Sequence, residues 1–201
     1  MELHVGLIGL GNRGYWLLRD VIVPMPDVRV TAVCDVYPDR CEKAAESVKE
    51  MGGYIPAMET DYKALIGQAD VDTVIVASAW ENHVEAAICA MKAGKAVAVE
   101  VGGAYTVKQC WDLVETYEST QTPFMFLENC CYGRREMMAL NMAQLGLLGE
   151  IVHCKGGYLH DLRDEVSTGG ECRHYRLRNC LQRLAGNYPP RELGPRPRRR
   201  T

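Results

Sequence analysis

A doubly wound parallel α/β sheet is the fold this chain predicts, and three observations carry the prediction. An apolar run, Leu3–Ile8, empties into the turn Gly9-Leu10-Gly11-Asn12-Arg13-Gly14, after which residues 15–22 follow a helical pattern. A second apolar run, Val28–Cys34, ends on the carboxylate Asp35. Strand and helix patterns then alternate as far as residue 128. Parallel strands need crossovers long enough to hold a helix, so this rhythm implies strands linked through helices on both sheet faces.

The chemistry of the turn is the most specific signal in the chain. In a Gly-x-Gly-x-x-Gly spacing the first glycine makes the tight bend, the second lets the backbone approach a pyrophosphate, and the third lets helix and strand pack closely. Amides at the start of the helix then face the anion. Asp35, 21 residues after Gly14, can accept hydrogen bonds from an adenosine ribose. Gly9, Gly11, Gly14 and Asp35 therefore predict a bound dinucleotide, with an adenosyl methyl donor as the competing ligand. A free carboxylate repels a 2′-phosphate, which favours NAD over NADP, although Arg40 is close enough in sequence to contest this.

The remaining elements follow in order. Residues 38–51 place Cys41, Ala44, Ala45 and Val48 on one face of a helix that has a proline near its start and is stopped by Gly52-Gly53. A short third strand is expected near Tyr54-Ile55-Pro56, and a short helix over 61–66 with Thr60 or Asp61 as cap. Residues 72–77 form a continuous apolar run of the kind buried inside a parallel sheet. The loop 78–82 leads to a helix from His83 to Lys92 closed by Gly94, then strand Ala96–Glu100, a helix over 106–117, a strand over 124–128 and a helix over 134–145. Ligand groups gather at the carboxyl ends of such strands. That edge holds Asn12, Arg13, Asp35, Trp80, His83, Glu100 and Asn129.

After Gly149 the texture changes. Residues 150–158 alternate loosely and read as the opening strand of a second, α+β domain, with a short helix near 175–181. The expected division is a nucleotide-binding domain over 1–128, a partial substrate domain over 129–195 and a basic tail over 196–201. About fifty residues rarely complete a sheet domain, so apolar surface is left uncovered and self-association is expected.

Composition narrows the classes. Of the 201 residues 47% are hydrophobic, as in a globular protein, and no apolar stretch approaches the roughly 20 residues of a membrane span. With no charged-then-apolar leader at its start, the chain is expected in the cytoplasm. Nine cysteines form no Cys-x-x-Cys pair, and Cys34, Cys89 and Cys110 sit in apolar periodic segments, so reduced buried thiols are expected rather than disulfides or a metal site. The net charge of −3 hides nine arginines and two acids within 171–201, which leave the first 170 residues at −10. Because the tail Arg196-Pro197-Arg198-Arg199-Arg200 has no interleaved aromatics, it does not point to nucleic acid.

The glycine turn, Cys34-Asp35, the His83-x-x-x-Ala87 helix ending Ala93-Gly94-Lys95 and the strand to Glu100 resemble the N-terminal, Rossmann-type domain of the Gfo/Idh/MocA superfamily of nicotinamide-dependent proteins. Most oxidoreductases of that group carry Glu-Lys-Pro after the fifth strand, the lysine helping to deprotonate a substrate alcohol. Here the triplet is Glu100-Val101-Gly102, and a valine exchanges no proton.

A narrower resemblance accounts for the change. Trp80-Glu81-Asn82-His83, Glu100-Val101, Glu128-Asn129-Cys130-Cys131-Tyr132, His174-Tyr175-Arg176-Leu177-Arg178-Asn179 and Tyr188-Pro189-Pro190-Arg191-Glu192-Leu193-Gly194-Pro195 are similar to the NAD-dependent α-N-acetylgalactosaminidases. The resemblance implies transient oxidation of the sugar C3 hydroxyl by a retained NAD, elimination of the aglycone, addition of water at C1 and return of the hydride. It implies cofactor contacts from Gly9, Gly11, Asn12, Arg13, Gly14, Asp35, Trp80, His83, Glu100, Val101 and Asn129. Tyr158 would be the catalytic proton acceptor, and Tyr158, Arg176, Tyr188 and Arg191 would hold a small carbohydrate. The residues taken alone also allow Trp80 to pack over the sheet edge and His83 to cap its helix.

The chain departs from that pattern near its end. Where the family has Tyr-Pro-Thr-His, this chain has Tyr188-Pro189-Pro190-Arg191, and an arginine stays protonated and cannot act as a base. After Pro195 the likeness ceases, so the chain reads as a truncated relative with impaired turnover. The alternatives are an NAD-dependent sugar or polyol oxidoreductase and a non-catalytic NAD-binding module.

Overall fold

The computed structural model describes residues 2–128 and 131–155. Six parallel strands lie in the order β3-β2-β1-β4-β5-β6: β1 (Leu3–Ile8), β2 (Val28–Cys34), β3 (Ala57–Glu59), β4 (Thr73–Val76), β5 (Ala96–Glu100) and β6 (Phe124–Leu127). The chain divides into two compact units, 1–150 and 151–201, and the sheet belongs to the first.

Side-chain alternation on the strands sends neighbouring residues to opposite faces. Leu7, Val30 and Val33 face one way and pack with Leu17, Leu18, Ile22, Cys41, Ala44 and Val48. These come from α1 (Asn12–Trp16, continued by a π-helical turn, Leu17–Ile22) and from α2 (Pro38–Gly52). Ile8, Ala32, Val74, Val76, Val97 and Val99 face the other way, against Leu65, Ile66, Val84, Ala87, Met91 and Leu113. Those side chains belong to α3 (Tyr62–Ile66), α4 (His83–Lys92) and α5 (Val107–Thr120). Helices thus cover both faces, as the alternating pattern implies. Leu18 is fully buried, and truncating such a side chain to alanine costs about 2–5 kcal/mol.

Local chemistry sets the helix ends. α2 begins with Pro38 and stops at Gly53, whose φ of +76° suits a residue without a Cβ. Asp61, one of the two expected caps, accepts from the Lys63 amide at 2.9 Å. α5 starts with a reciprocal capping box between Thr106 and Gln109.

Several details differ from the sequence-based expectation. α1 starts at Asn12 rather than Tyr15, because Gly11 already serves as its extended N-cap. The third strand lies at Ala57–Glu59, beyond Pro56. Proline lacks an N–H for the ladder, and Tyr54 instead uses its hydroxyl to accept from the Val30 amide at 3.0 Å. Cys34 and Cys41 are buried, but Cys89 is half-buried and Cys110 exposed, since α5 buries only Leu113 and Thr116. Residues 151–155 lie in no helix or strand, and the rest of the expected 150–158 strand lies outside the described residues.

Between Val30 and Ala32 the β1–β2 register slips by one, so Thr31 is an extra residue in β2. The last helix among the described residues, α6 (Arg134–Gln144), buries none of its residues and exposes Met137, Met138 and Leu140, followed by exposed Leu145, Leu147 and Leu148.

Candidate functional site

The strand order reverses between β1 and β4, and a crevice at such a switch point is where doubly wound folds bind ligands. Gly9 leaves β1 with φ +93°, and its bare Cα lies against the backbone of Ala77 and Ser78 beyond β4. A Cβ on Gly14 would run into the Gly9 carbonyl oxygen, so only glycine lets α1 pack so tightly on the turn. Gly11 caps α1 with no side chain, leaving the amides of the first turn to an outside acceptor.

On the β2 side, Asp35 is 7% exposed and its carboxylate is already engaged. Oδ2 accepts from the Leu10 amide at 2.8 Å, and Oδ1 from the Tyr37 amide at 3.1 Å. The Arg40 guanidinium lies 3.4 Å from Oδ2 and over the Tyr37 ring at 4.7 Å. The expectation of a free carboxylate is therefore corrected: Asp35 braces the glycine turn and is partly neutralised by Arg40. Of the roughly four acceptor positions of a carboxylate, about one is left for a ribose hydroxyl.

On the β4–β5 side, Trp80 opens a 3₁₀ turn (Trp80–Asn82) and is 45% exposed. His83 begins α4 and is fully buried, with Nε2 2.9 Å from the Ser78 carbonyl and Nδ1 without a hydrogen-bond partner. Burial lowers its pKa from the ordinary imidazole value, outweighing the opposite pull of the Ser78 and Glu100 backbone groups and the Glu100 charge. The ring is thus neutral and donates through Nε2 to Ser78. It anchors the loop after β4 to the start of α4 and, being buried, lines no open space.

Glu100, at the end of β5, reaches back across the crevice. Its Oε1 lies 2.6 Å from Arg13 Nε, and its Oε2 accepts from the Val101 amide at 3.2 Å. Arg13 is half-exposed and also stacks over Trp16 at 4.9 Å. Val101 is exposed, and Gly102 and Gly103 follow it under the rings of Trp80 and Phe126.

These residues suit a dinucleotide. Glycines without room for a Cβ line the turn, a cation stands beside it, and an acid closes the neighbouring strand. Gly9, Gly11, Asn12, Arg13, Gly14, Asp35, Trp80, His83, Glu100 and Val101 all fall on this one edge. Asn129, Tyr158, Arg176, Tyr188 and Arg191 lie outside the described residues. Ser78 and the Gly102-Gly103 pair were not singled out from sequence, although a glycine doublet directly after Glu100-Val101 was the available signal. Among the described residues, no group of three or more His, Cys, Asp or Glu could hold a metal ion, and no helix is long and apolar enough to cross a membrane.

Comparison with known families decides the assignment. Residues 3–127, more than half the chain, match the family described as "Oxidoreductase family, NAD-binding Rossmann fold". The chain belongs to the Gfo/Idh/MocA family. Its cofactor is accordingly NAD, and its six-stranded sheet is the Rossmann fold of that family. Residues 132–196 match the glycosyl hydrolase 109 C-terminal domain. A glycosyl hydrolase family 109 protein of Streptomyces filamentosus is 45% identical over 96% of this chain and 40% of its own length. An alpha-N-acetylgalactosaminidase of Bacteroides fragilis is 36% identical over 96% of this chain and 47% of its own. The chain thus spans less than half the length of these curated relatives. Among solved structures, scyllo-inositol dehydrogenase from Lactobacillus casei with bound NAD(H) and scyllo-inositol superposes with a TM-score of 0.68 at 18% identity. It covers 75% of this chain and 43% of its own, and at that identity the likeness concerns the Gfo/Idh/MocA fold alone.

Proposed function

We propose that this chain holds NAD along the carboxyl edge of its sheet and serves a glycosidase reaction on N-acetylgalactosaminides, impaired in this chain. The glycine turn and Arg13 hold the pyrophosphate, Asp35 offers its remaining acceptor to the adenosine ribose, and Trp80, Glu100, Val101 and Asn129 hold the other half of the cofactor. His83 fixes the loop that carries Trp80. NAD, when bound, supplies a hydride acceptor for the sugar C3 position and returns the hydride later. Tyr158 accepts a proton near C2, while Arg176, Tyr188 and Arg191 orient the sugar.

The observation that carries this reading is the exposed valine at the end of β5, joined to the glycosyl hydrolase 109 match that follows it. A plain sugar or polyol oxidoreductase needs a proton acceptor at that place, and Val101 has none. Arg191, in place of a histidine base, accounts for the impairment. The exposed apolar side chains of α6 and the residues after it favour association of copies. The cytoplasm is the compartment that suits reduced thiols and an NAD supply.

Native mass spectrometry tests cofactor retention: a mass increment equal to NAD is expected, and a bare chain counts against the reading. Incubation with a chromogenic N-acetylgalactosaminide tests the chemistry, with turnover far below that of a full-length relative expected. Steady NADH accumulation with a free sugar would transfer the reading to the oxidoreductase class. Light scattering is expected to show species larger than one chain.

A further inference from the structure

The segment leaving β5 carries two consecutive glycines, and an aromatic ring lies on each. The Trp80 indole sits on Gly102, whose imagined Cβ would lie 2.6–2.7 Å from three ring carbons, and Phe126 of β6 lies as tightly on Gly103. Gly102 also has φ +106°, a region that L side chains rarely adopt. Steric room and backbone conformation thus each oppose a side chain at Gly102, and any Cβ there must displace the Trp80 ring.

The sheet order says which half of the cofactor lies nearby. Asp35 closes β2, the glycine turn closes β1, and β4 and β5 lie on the far side of β1 from β2. A dinucleotide with its adenosine ribose at Asp35 and its pyrophosphate at the turn must therefore extend its nicotinamide half toward the ends of β4 and β5. Trp80 follows β4, and Gly102 follows β5.

We infer that Gly102 is a positioning residue for the nicotinamide half of NAD: its bare Cα seats the Trp80 indole, and the exposed remainder of that ring forms the wall against which the nicotinamide rests. This rests on the NAD-binding reading above. Gly102 itself touches no cofactor atom and acts through Trp80.

Titration calorimetry with NAD and with ADP-ribose separates the two halves, since ADP-ribose keeps everything except the nicotinamide. Wild-type chain is expected to bind NAD more tightly than ADP-ribose. In Gly102→Ala, NAD affinity is expected to fall about tenfold, the scale of one lost ring contact, with ADP-ribose affinity nearly unchanged. If Gly102→Ala does not fold, Trp80→Ala decides, because it removes the ring without straining the backbone, and the same selective loss is expected. A folded Gly102→Ala or a Trp80→Ala that keeps the wild-type ratio of the two affinities overturns the inference and leaves the NAD reading intact. Wild-type chain that binds neither ligand overturns both.

Discussion

The carboxylate of Asp35 accepts a hydrogen bond from the backbone amide of Leu10 at 2.8 Å, both groups being buried. The acid at the end of β2 is thus a structural brace for the turn after β1 as well as a candidate ribose acceptor. Removing it strands a buried amide, which costs about 1–3 kcal/mol. Asp35→Ala is expected to lower the unfolding free energy from urea titration by that amount and to weaken NAD binding in the same variant. A variant with wild-type unfolding would show that the brace carries no weight.

Arg13 and Glu100 make the opposite case. Their 2.6 Å pair joins the glycine turn to the end of β5, but the arginine is half in solvent, where such pairs contribute less than about 1 kcal/mol. Arg13→Ala is expected to leave the thermal midpoint almost unchanged. NAD affinity should drop and lose much of its salt dependence, as calorimetry at two ionic strengths would reveal.

His83 gives the pH dependence. Its folded pKa lies below the ordinary 6.5, so from 6.5 downward the unfolded chain binds the extra proton. Stability from this group is complete above that pH and declines as the pH falls toward the folded value. Thermal midpoints should therefore decrease as the pH falls below about 6.5. His83→Gln, whose amide can still donate to Ser78, should flatten that slope.

The thiols should sort by burial. The pKa of Cys34 is pushed up to about 12 by burial, with the neighbouring Cys41 thiol adding to it, and Cys41 is itself raised mainly by burial. Brief treatment of the folded chain with iodoacetamide at neutral pH, followed by peptide mass spectrometry, should find Cys110 modified and Cys34 and Cys41 protected. Equal labelling at all three would contradict the burial described for β2 and α2.

What was legible in the sequence is what depends on near neighbours in the chain. The Gly9–Gly14 turn, the amphipathic face of α2 and the apolar runs of β2, β4 and β5 each declare themselves within a dozen residues, and the family resemblance rests on them. The contacts that build the site do not. Asp35 with Leu10, Arg13 with Glu100 and Trp80 with Gly102 each join separate strand ends, and no local pattern states their geometry. Tyr54 has the character of a strand residue, but its hydroxyl accepts from the Val30 amide and the third strand begins only at Ala57. Cys110 sits in an apolar periodic segment, but its neighbours on α5, Trp111 and Val114, are themselves exposed, so the pattern there marks no buried face.

The extra residue in β2 has a consequence for how relatives should be aligned. Odd and even positions exchange sheet faces at Thr31, so the inward or outward parity read from Val28 to Val30 cannot be carried forward to Asp35. Deleting Thr31 would restore unbroken pairing and leave Asp35 on its present face, because Val30 and Ala32 already pair with Val5 and Gly6 on opposite faces. A one-residue gap at Thr31 in a homologue therefore preserves the grip on the adenosine end, whereas a gap between Ala32 and Cys34 turns the aspartate to the opposite face.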